Sequence, residues 1–357
     1  MNHACQRWRL RKAYLCEISS ADCRTRLYLF REWQPVTISY MLITCVIGGA
    51  GFIGRFVVEE LLRRGDRYVV VVGREGEAPH LPAQVRYVQH PPDTTTQLLV
   101  QTLSSVDEVI DLAYATVPQT SFQNPVNDIL VNLPEAVRLF EQAALLPLRK
   151  FVWISSGGTV YGPVQTLPLS EGHPTNPISP YGITKLAIEK YAHMYFHFSK
   201  LPVVCVRPAN AFGPGQRVYA GQGFVGTAIA SLLDGRPIDI FGEDGTIRDY
   251  LHVRDMATGI VAALVDGRPG EVYNLGSGEG HSNRQVVDIL LPLAHAEGLT
   301  PEIRILPERP FDVKANILEI SKIYAHTGWQ PSQSFDKLLE QTWDWYVANY
   351  ERAPISK

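Results

Sequence analysis

Cysteine is scarce in this chain, and its placement fits no metal site. Among 357 residues there are five, Cys5, Cys16, Cys23, Cys45 and Cys205, at spacings that match neither zinc ligands nor an even-numbered disulfide framework. No metal centre is expected. Cys45 and Cys205 fall inside apolar runs that read as strands, so both are expected to be buried thiols of a reducing, cytoplasmic protein. An excess of one charge is also missing. With 33 basic and 36 acidic residues the net charge is −3, which leaves no electrostatic footprint for nucleic acid. No apolar run approaches the roughly eighteen residues that suggest a membrane helix, and no membrane partner is expected. Neither internal repeats nor low-complexity segments occur. What remains is an ordinary globular composition over a length that exceeds most single cores and implies two lobes.

The first forty residues do not match the rest. They hold three of the five cysteines and the arginines Arg7, Arg9, Arg11, Arg24, Arg26 and Arg31, with no sustained period and no apolar segment long enough for a secretion signal. Residues 1–40 are therefore expected to be a disordered extension outside the fold, such as an upstream start would add. A basic arm for a partner is the functional alternative.

At Met41 the text changes. Met41-Leu-Ile-Thr-Cys-Val-Ile runs into Gly48-Gly49-Ala50-Gly51-Phe52-Ile53-Gly54, a glycine turn between a strand and a helix. In that context Gly48, Gly51, Phe52, Ile53 and Gly54 would bring backbone N–H groups to a pyrophosphate at a helix N-terminus. A tight turn without a ligand is the plainer alternative. Further on, Tyr181 and Lys185 in Ser-Pro-Tyr-Gly-Ile-Thr-Lys-Leu lie one helical turn apart on the same side. An ammonium beside a phenol favours the phenolate, so the tyrosine pKa is expected to fall toward working pH. That would make a base for an alcohol or sugar hydroxyl while a hydride leaves the same carbon for a cofactor. Downstream, Tyr191, Tyr195, Phe196 and Phe198 read as core or subunit interface. His193 and His197 have metal-capable spacing but no accompanying carboxylate motif.

Short β-rich runs alternate with helical periods from Met41 onward: strands over 42–47, 68–72, 109–113, 151–155 and 203–206, helices over 55–64, 128–145 and 180–198. This predicts an α/β fold, a doubly wound parallel (Rossmann) sheet, with a smaller α/β substrate-binding lobe. Residues 41–207 would form the dinucleotide-binding domain, rejoined by about 250–278. Residues 208–249 and 279–350 would form the second lobe.

Several ordered motifs now carry a resemblance. They are Gly48–Gly54, Asp111-Leu-Ala-Tyr-Ala, Val131-Asn132, Ser155-Ser-Gly-Gly-Thr-Val-Tyr-Gly162, Ser179-Pro-Tyr-Gly-Ile-Thr-Lys185, Arg207-Pro-Ala-Asn-Ala-Phe-Gly-Pro214, Ile240-Phe-Gly, Arg248-Asp-Tyr-Leu-His-Val-Arg-Asp255 and Tyr273-Asn-Leu-Gly-Ser-Gly278. From about Met41 to Trp329 the chain resembles the extended short-chain dehydrogenase/reductase superfamily, and most closely its UDP-glucose 4-epimerase-like nucleotide-sugar enzymes. The resemblance implies that Tyr181 is the base and that Lys185 holds the nicotinamide ribose and lowers the tyrosine pKa. It also implies that Ala113 lies at the cofactor, that Asn132 is a structural or cofactor-proximal asparagine, and that Asn210, Arg248 and Arg309 (followed by Asp312) bind the sugar diphosphate, arginine being suited to that task.

Three departures qualify it. The strand over 68–72 ends in Gly73-Arg74 where the family usually has an acidic residue for the ribose hydroxyls. That omission removes repulsion of a 2′-phosphate, and Arg74 could pair with one, so the cofactor expectation leans to NADP or to dual use with NAD; Glu75 could still reach the ribose. The family's catalytic Ser/Thr falls at Gly157, leaving Ser156 or Thr159 to supply the hydroxyl. Gly157-Gly158 also replaces the Asp-Glu of nucleotide-sugar 4,6-dehydratases, which argues against dehydration. Finally, Asn316 aligns with the position that controls space around the sugar C2 substituent, where a smaller residue than tyrosine would admit an N-acetyl group.

The function these features imply is a nucleotide-diphosphate-sugar 4-epimerase, of the UDP-glucose/galactose type and extending to N-acetyl forms, that works by transient C4 oxidation with bound NAD(P). A 4-keto-sugar reductase using NADPH is the alternative enzyme, and a non-catalytic cofactor-sensing or scaffold protein is the alternative of another class. A homodimer is expected through the helices over 128–145 and 180–198.

Overall fold

A computed structural model describes residues 41–74, 76, 81–90, 96–164, 166–219, 223–308 and 313–351. The expectation for residues 1–40, and those for Glu75, Arg309 and Asp312, fall outside them. The chain first lays down β1 (Leu42–Ile47), α1 (Phe52–Arg64), β2 (Arg67–Gly73), β3 (Arg86–Gln89), α2 (Thr96–Leu103) and β4 (Glu108–Asp111). Next come α3 (Pro118–Gln123), α4 (Pro125–Ala143), β5 (Lys150–Ile154), α5 (Pro180–Ser199) and β6 (Val203–Pro208). Beyond β6 the elements shorten: β7 (Asn210–Phe212), α6 (Phe224–Asp234), β8 (Ile238–Phe241), β9 (Ile247–Arg248), β10 (Tyr250–His252), α7 (Val253–Val265) and β11 (Val272–Leu275). The last are β12 (His281–Ser282), α8 (Asn283–Ala296), β13 (Ile303–Leu306), β14 (Ala315–Asn316), α9 (Ser321–Thr327) and α10 (Phe335–Asn349).

Among the described residues seven strands form one sheet in the order β11-β6-β5-β4-β1-β2-β3, with every pairing parallel. The inner strands are apolar on both faces because both are covered. Along β2, Val69 and Val71 face a core shared with α1 and α7, while Val70 and Val72 face a core shared with α4 and α5. The same alternation places Cys45 and Cys205 in the second core as free, buried thiols. A third apolar core gathers Phe212, Ile229, Leu232, Ile240, Leu339 and Trp343 from α6, α10 and the short strands. The fold is thus the doubly wound α/β sheet, accompanied by smaller sheets.

Sheet order fixes where a ligand can lie. From β1 the chain moves outward to β2 and β3, then returns to β4 on the other side. The switch point therefore falls between β1 and β4, and a crevice opens beyond their carboxyl ends. The glycine turn leaves β1 there, and Asp111–Ala115 leaves β4 there. A Cβ on Gly48, whose φ is +78°, would stand 3.3 Å from the Ala113 nitrogen, which shows how closely the two exits approach.

Candidate functional site

Each part of the crevice follows from local chain geometry. Gly51 caps α1 with no side-chain hydrogen bond, so the first N–H groups of that helix keep their donor capacity. Gly54 is required by packing, since a Cβ there would lie 2.3 Å from the Gly48 carbonyl oxygen. Gly48, Gly51, Phe52, Ile53 and Gly54 all line one cavity of about 2040 Å³, together with Arg74, Ala113, Asn132, Ser156, Thr159, Tyr181, Lys185, Asn210 and Arg248. The candidate residues named from the sequence and described here therefore converge on a single space, with Asn316 the exception.

The start of α5 presents Tyr181 and Lys185. Ser179 is its N-cap and accepts from Gly182 N at 3.1 Å, Pro180 opens the helix, and Tyr181 N donates to Ser121 Oγ at 3.2 Å. Lys185 is buried, and its Nζ donates to the Ile154 carbonyl at 2.8 Å. The ammonium lies 3.8 Å from the centroid of the Tyr114 ring, 4.9 Å from that of Trp153 and 5.7 Å from that of Tyr181. Burial pushes Lys185 down to about 7, against the nearby charges of Asp111, Glu189 and Asp128. Burial also pushes Asp111 up to about 6.

These facts correct the expected fall in the tyrosine pKa. Tyr181 is instead pushed well above its ordinary value, first by burial and then by the charge of Asp128. The physical reason is the lysine's placement. Its ammonium is spent on a carbonyl and on the face of Tyr114 rather than on the Tyr181 phenol, while the buried Asp128 opposes a second negative charge. Asp128 is itself fixed by hydroxyls, accepting from Thr184 Oγ1 at 2.6 Å and from Thr116 Oγ1.

Ser155-Ser156-Gly157-Gly158-Thr159 leaves β5 beside this corner. Ser155 is turned inward onto Glu189, whose carboxylate is also gripped by Arg207 (2.9 and 2.6 Å). Gly157 has no room for a side chain: a Cβ would stand 2.5 Å from Leu318 Cδ1 and 2.9 Å from the Arg207 carbonyl oxygen. The missing family hydroxyl therefore reflects close packing at that position. Thr159 Oγ1, by contrast, is buried at the cavity wall with no hydrogen-bond partner among the described residues. Gly157→Ser is expected to lower stability by about 1 kcal/mol or more through overpacking, read as a fall in thermal midpoint.

One candidate lies elsewhere. Asn316 does not line the cavity. It is buried, and its Nδ2 donates to the Gly157 carbonyl at 3.0 Å, so its side chain braces the Ser-Ser-Gly-Gly turn. Asn132 is likewise committed: Oδ1 accepts from Ala115 N at 2.8 Å, and Nδ2 donates to the Asp128 carbonyl and to Thr116 Oγ1. It fastens α4 to the exit of β4. Arg248 is half-buried and donates to the Val313 carbonyl at 2.7 Å. Arg74 is exposed at the cavity rim, and at Gly73 a Cβ would meet the Tyr87 hydroxyl at 2.5 Å. Sequence reasoning missed Tyr114, Arg55, Gln216 and Arg217, which also line the cavity. Of these only Tyr114 lay within a motif already singled out.

A switch-point cavity with a glycine turn and a Tyr/Lys pair defines a dinucleotide-cofactor enzyme of the Rossmann type. Residues 44–276 match the family described as NAD dependent epimerase/dehydratase. The UDP-glucose 4-epimerase of Mycolicibacterium smegmatis is 33% identical over 314 residues, covering 85% of this chain and 98% of that protein. A dTDP-glucose 4,6-dehydratase of Actinoplanes sp. is 30% identical over 318 residues, covering 85% and 97%. The crystal structure of the Thermus thermophilus UDP-glucose 4-epimerase in complex with NAD superposes with a TM-score of 0.78 at 30% identity, covering 86% of this chain and 99% of that one. This chain belongs to the NAD-dependent epimerase/dehydratase family.

Proposed function

We propose that the chain is a nucleotide-diphosphate-sugar 4-epimerase. The observation that carries this reading is that one continuous cavity is lined by the dinucleotide turn, by Tyr181 and Lys185, and by Asn210 and Arg248. The uncapped N–H groups after Gly51, and the close turn that Gly48 and Gly54 permit, suit a pyrophosphate. The glycine turn and the start of α1 would hold NAD there, and it would supply hydride chemistry at the sugar C4. With a cationic nicotinamide bound beside it to bring down the phenol that burial and Asp128 hold up, Tyr181 would take the C4 hydroxyl proton and give it back, and Thr159 or Ser156 would supply a hydroxyl beside it. Arg248 and Asn210 grip the diphosphate, so the sugar can present either face while its anchor stays fixed. The relatives include dehydratases, but this chain places glycines at 157 and 158, where the resemblance implies an acid and a base for losing water.

Incubation with UDP-glucose, UDP-galactose and their N-acetyl forms, with products resolved by chromatography, tests the reading; interconversion at C4 is expected. A 4-keto-6-deoxy product, or no conversion of any of the four, would overturn it. The finer cofactor reading is that NADP binds at least comparably to NAD, supported by Gly73 and the exposed Arg74. The substrate-binding residues would extend to the region after β6, with residues 208–249 and 279–350 forming the sugar lobe.

The homodimer is a further part of this proposal. Ile183, Tyr191, Met194 and Phe198 on α5 and Val126, Ile129 and Leu130 on α4 are exposed, more apolar surface than a free pair of helices needs. Tyr195 does not belong to this face, since its ring packs on Phe140 at 6.1 Å. Light scattering at micromolar concentration is expected to give twice the chain mass; a monomer would refute the dimer.

A further inference from the structure

Tyr114 stands in the same corner as Tyr181 and Lys185. It follows β4 in Asp111-Leu-Ala-Tyr-Ala, and the backbone on both sides of it is tied down. Ala113 N donates to Asp111 Oδ1 at 3.0 Å and Ala115 N donates to Asn132 Oδ1 at 2.8 Å. The ring so held stands edge-on to Tyr181, centroids 5.0 Å apart and planes at 72°. The Lys185 ammonium rests over its face at 3.8 Å, closer than to either other aromatic ring around it. The Tyr114 hydroxyl is not what holds it. Among the described residues that group has no hydrogen bond of good geometry; it stands beside the Thr116 and Thr184 hydroxyls, both of which donate to Asp128.

We propose that Tyr114 is a positioning residue of this site: its ring is the platform on which the Lys185 ammonium rests, and it fixes where that cation stands relative to the Tyr181 phenol. The proposal rests on the reading of Tyr181 and Lys185 as the working pair. A cation over an electron-rich ring is attracted by the ring quadrupole, and the attraction grows when water is excluded. Here it is excluded, because Lys185 is buried. Burial is the largest influence on the lysine and opposes its charge. Asp111 from β4, Asp128 from α4 and Glu189 from α5 favour the charge. Glu189 is already bound by Arg207 at 2.6 Å. Among the described residues none of these carboxylates pairs with Lys185 within 4 Å, so the close partners of the ammonium are the Ile154 carbonyl and the Tyr114 face.

Fluorinated phenylalanines test this without altering shape. The full chain would carry phenylalanine, then mono-, di- and trifluorophenylalanine at position 114, and the Lys185 side-chain nitrogen would be titrated by NMR, its signal assigned by its loss in Lys185→Met. Tyr114→Phe is expected to leave the titration point within a few tenths of a pH unit, because the ring remains. Successive fluorines drain electron density from the ring face and are expected to lower the titration point stepwise, by about one pH unit across the series, a tenfold loss in proton affinity. Tyr114→Leu is expected to lower it at least as far. A titration point that stays flat through the fluorine series overturns the proposal. So does a fall in Tyr114→Phe as large as in Tyr114→Leu, which would assign the effect to the hydroxyl. Because the titration needs no substrate, it decides the role of Tyr114 even if no nucleotide sugar is turned over, an outcome that counts only against the epimerase reading.

Discussion

Replacing Tyr181 by phenylalanine is expected to reduce turnover of the nucleotide sugar by about 10²–10⁴-fold, the usual contribution of a positioned acid–base group. Binding of the nucleotide sugar should be nearly unchanged. The substitution removes one oxygen and leaves the ring, which packs edge-on against Tyr114 and starts a helix whose cap, Ser179, is untouched. The loss should fall on kcat, since the hydroxyl acts on the reacting proton and contributes little to holding the diphosphate. A kinetic comparison of the two proteins, with binding measured by calorimetry on the nucleotide sugar, checks both halves. Near-normal product formation by Tyr181→Phe would remove the base from the mechanism.

The second large effect is expected at the cofactor rim. Arg74→Ala should weaken NADP by roughly tenfold and NAD far less. A charge-assisted contact with a phosphate is worth about 1.5–3 kcal/mol, and NAD has no 2′-phosphate to lose it. The strand-end position supports this. Gly73 carries no carboxylate, and the Tyr87 ring occupies the space a side chain there would need. Arg74 is exposed, so its guanidinium is already solvated and the gain belongs at the lower end of that range. Titration of both cofactors into stripped protein gives the answer. A clear preference for NAD that Arg74→Ala leaves unaltered would mean that the arginine has no part in cofactor choice.

Much of the fold was legible because its signals are local. The strand over 42–47 matches β1, and the apolar runs at 68–72 and 203–206 mark strands covered on both faces. The glycine turn could be placed because a strand precedes it and a helical period follows. Boundaries shifted where chain exits matter most: β4 ends at Asp111, which frees Leu112 and Ala113 to meet the glycine turn. The short α3 and the four-residue β3 were missed because neither is long enough to show a period. Helix α7 was not read from the sequence, although its run from Val253 to Val265 covers one face of the sheet.

At the site, residue identity could be read but side-chain direction could not. Spacing put Tyr181 and Lys185 on one side of a helix, yet only the packed structure shows the ammonium turned to Tyr114 and Ile154. Gly157 read as a missing hydroxyl, whereas the surrounding Leu318 and Arg207 atoms make it a packing requirement. Asn316 read as space near a sugar and is instead a brace on Gly157. Each difference arises from contacts between segments far apart in sequence, which a local pattern does not encode.

The most direct test follows the hydrogen at C4. UDP-hexoses deuterated at that carbon, glucose and galactose with their N-acetyl forms, would be incubated with the full chain and NAD, and the products examined by NMR. Transient oxidation at C4 predicts a 4-epimer that keeps its deuterium on C4, with no net change in cofactor redox state. Deuterium lost from C4, deuterium transferred to C6 with release of water, or the absence of a 4-epimer from all of these sugars would contradict the account.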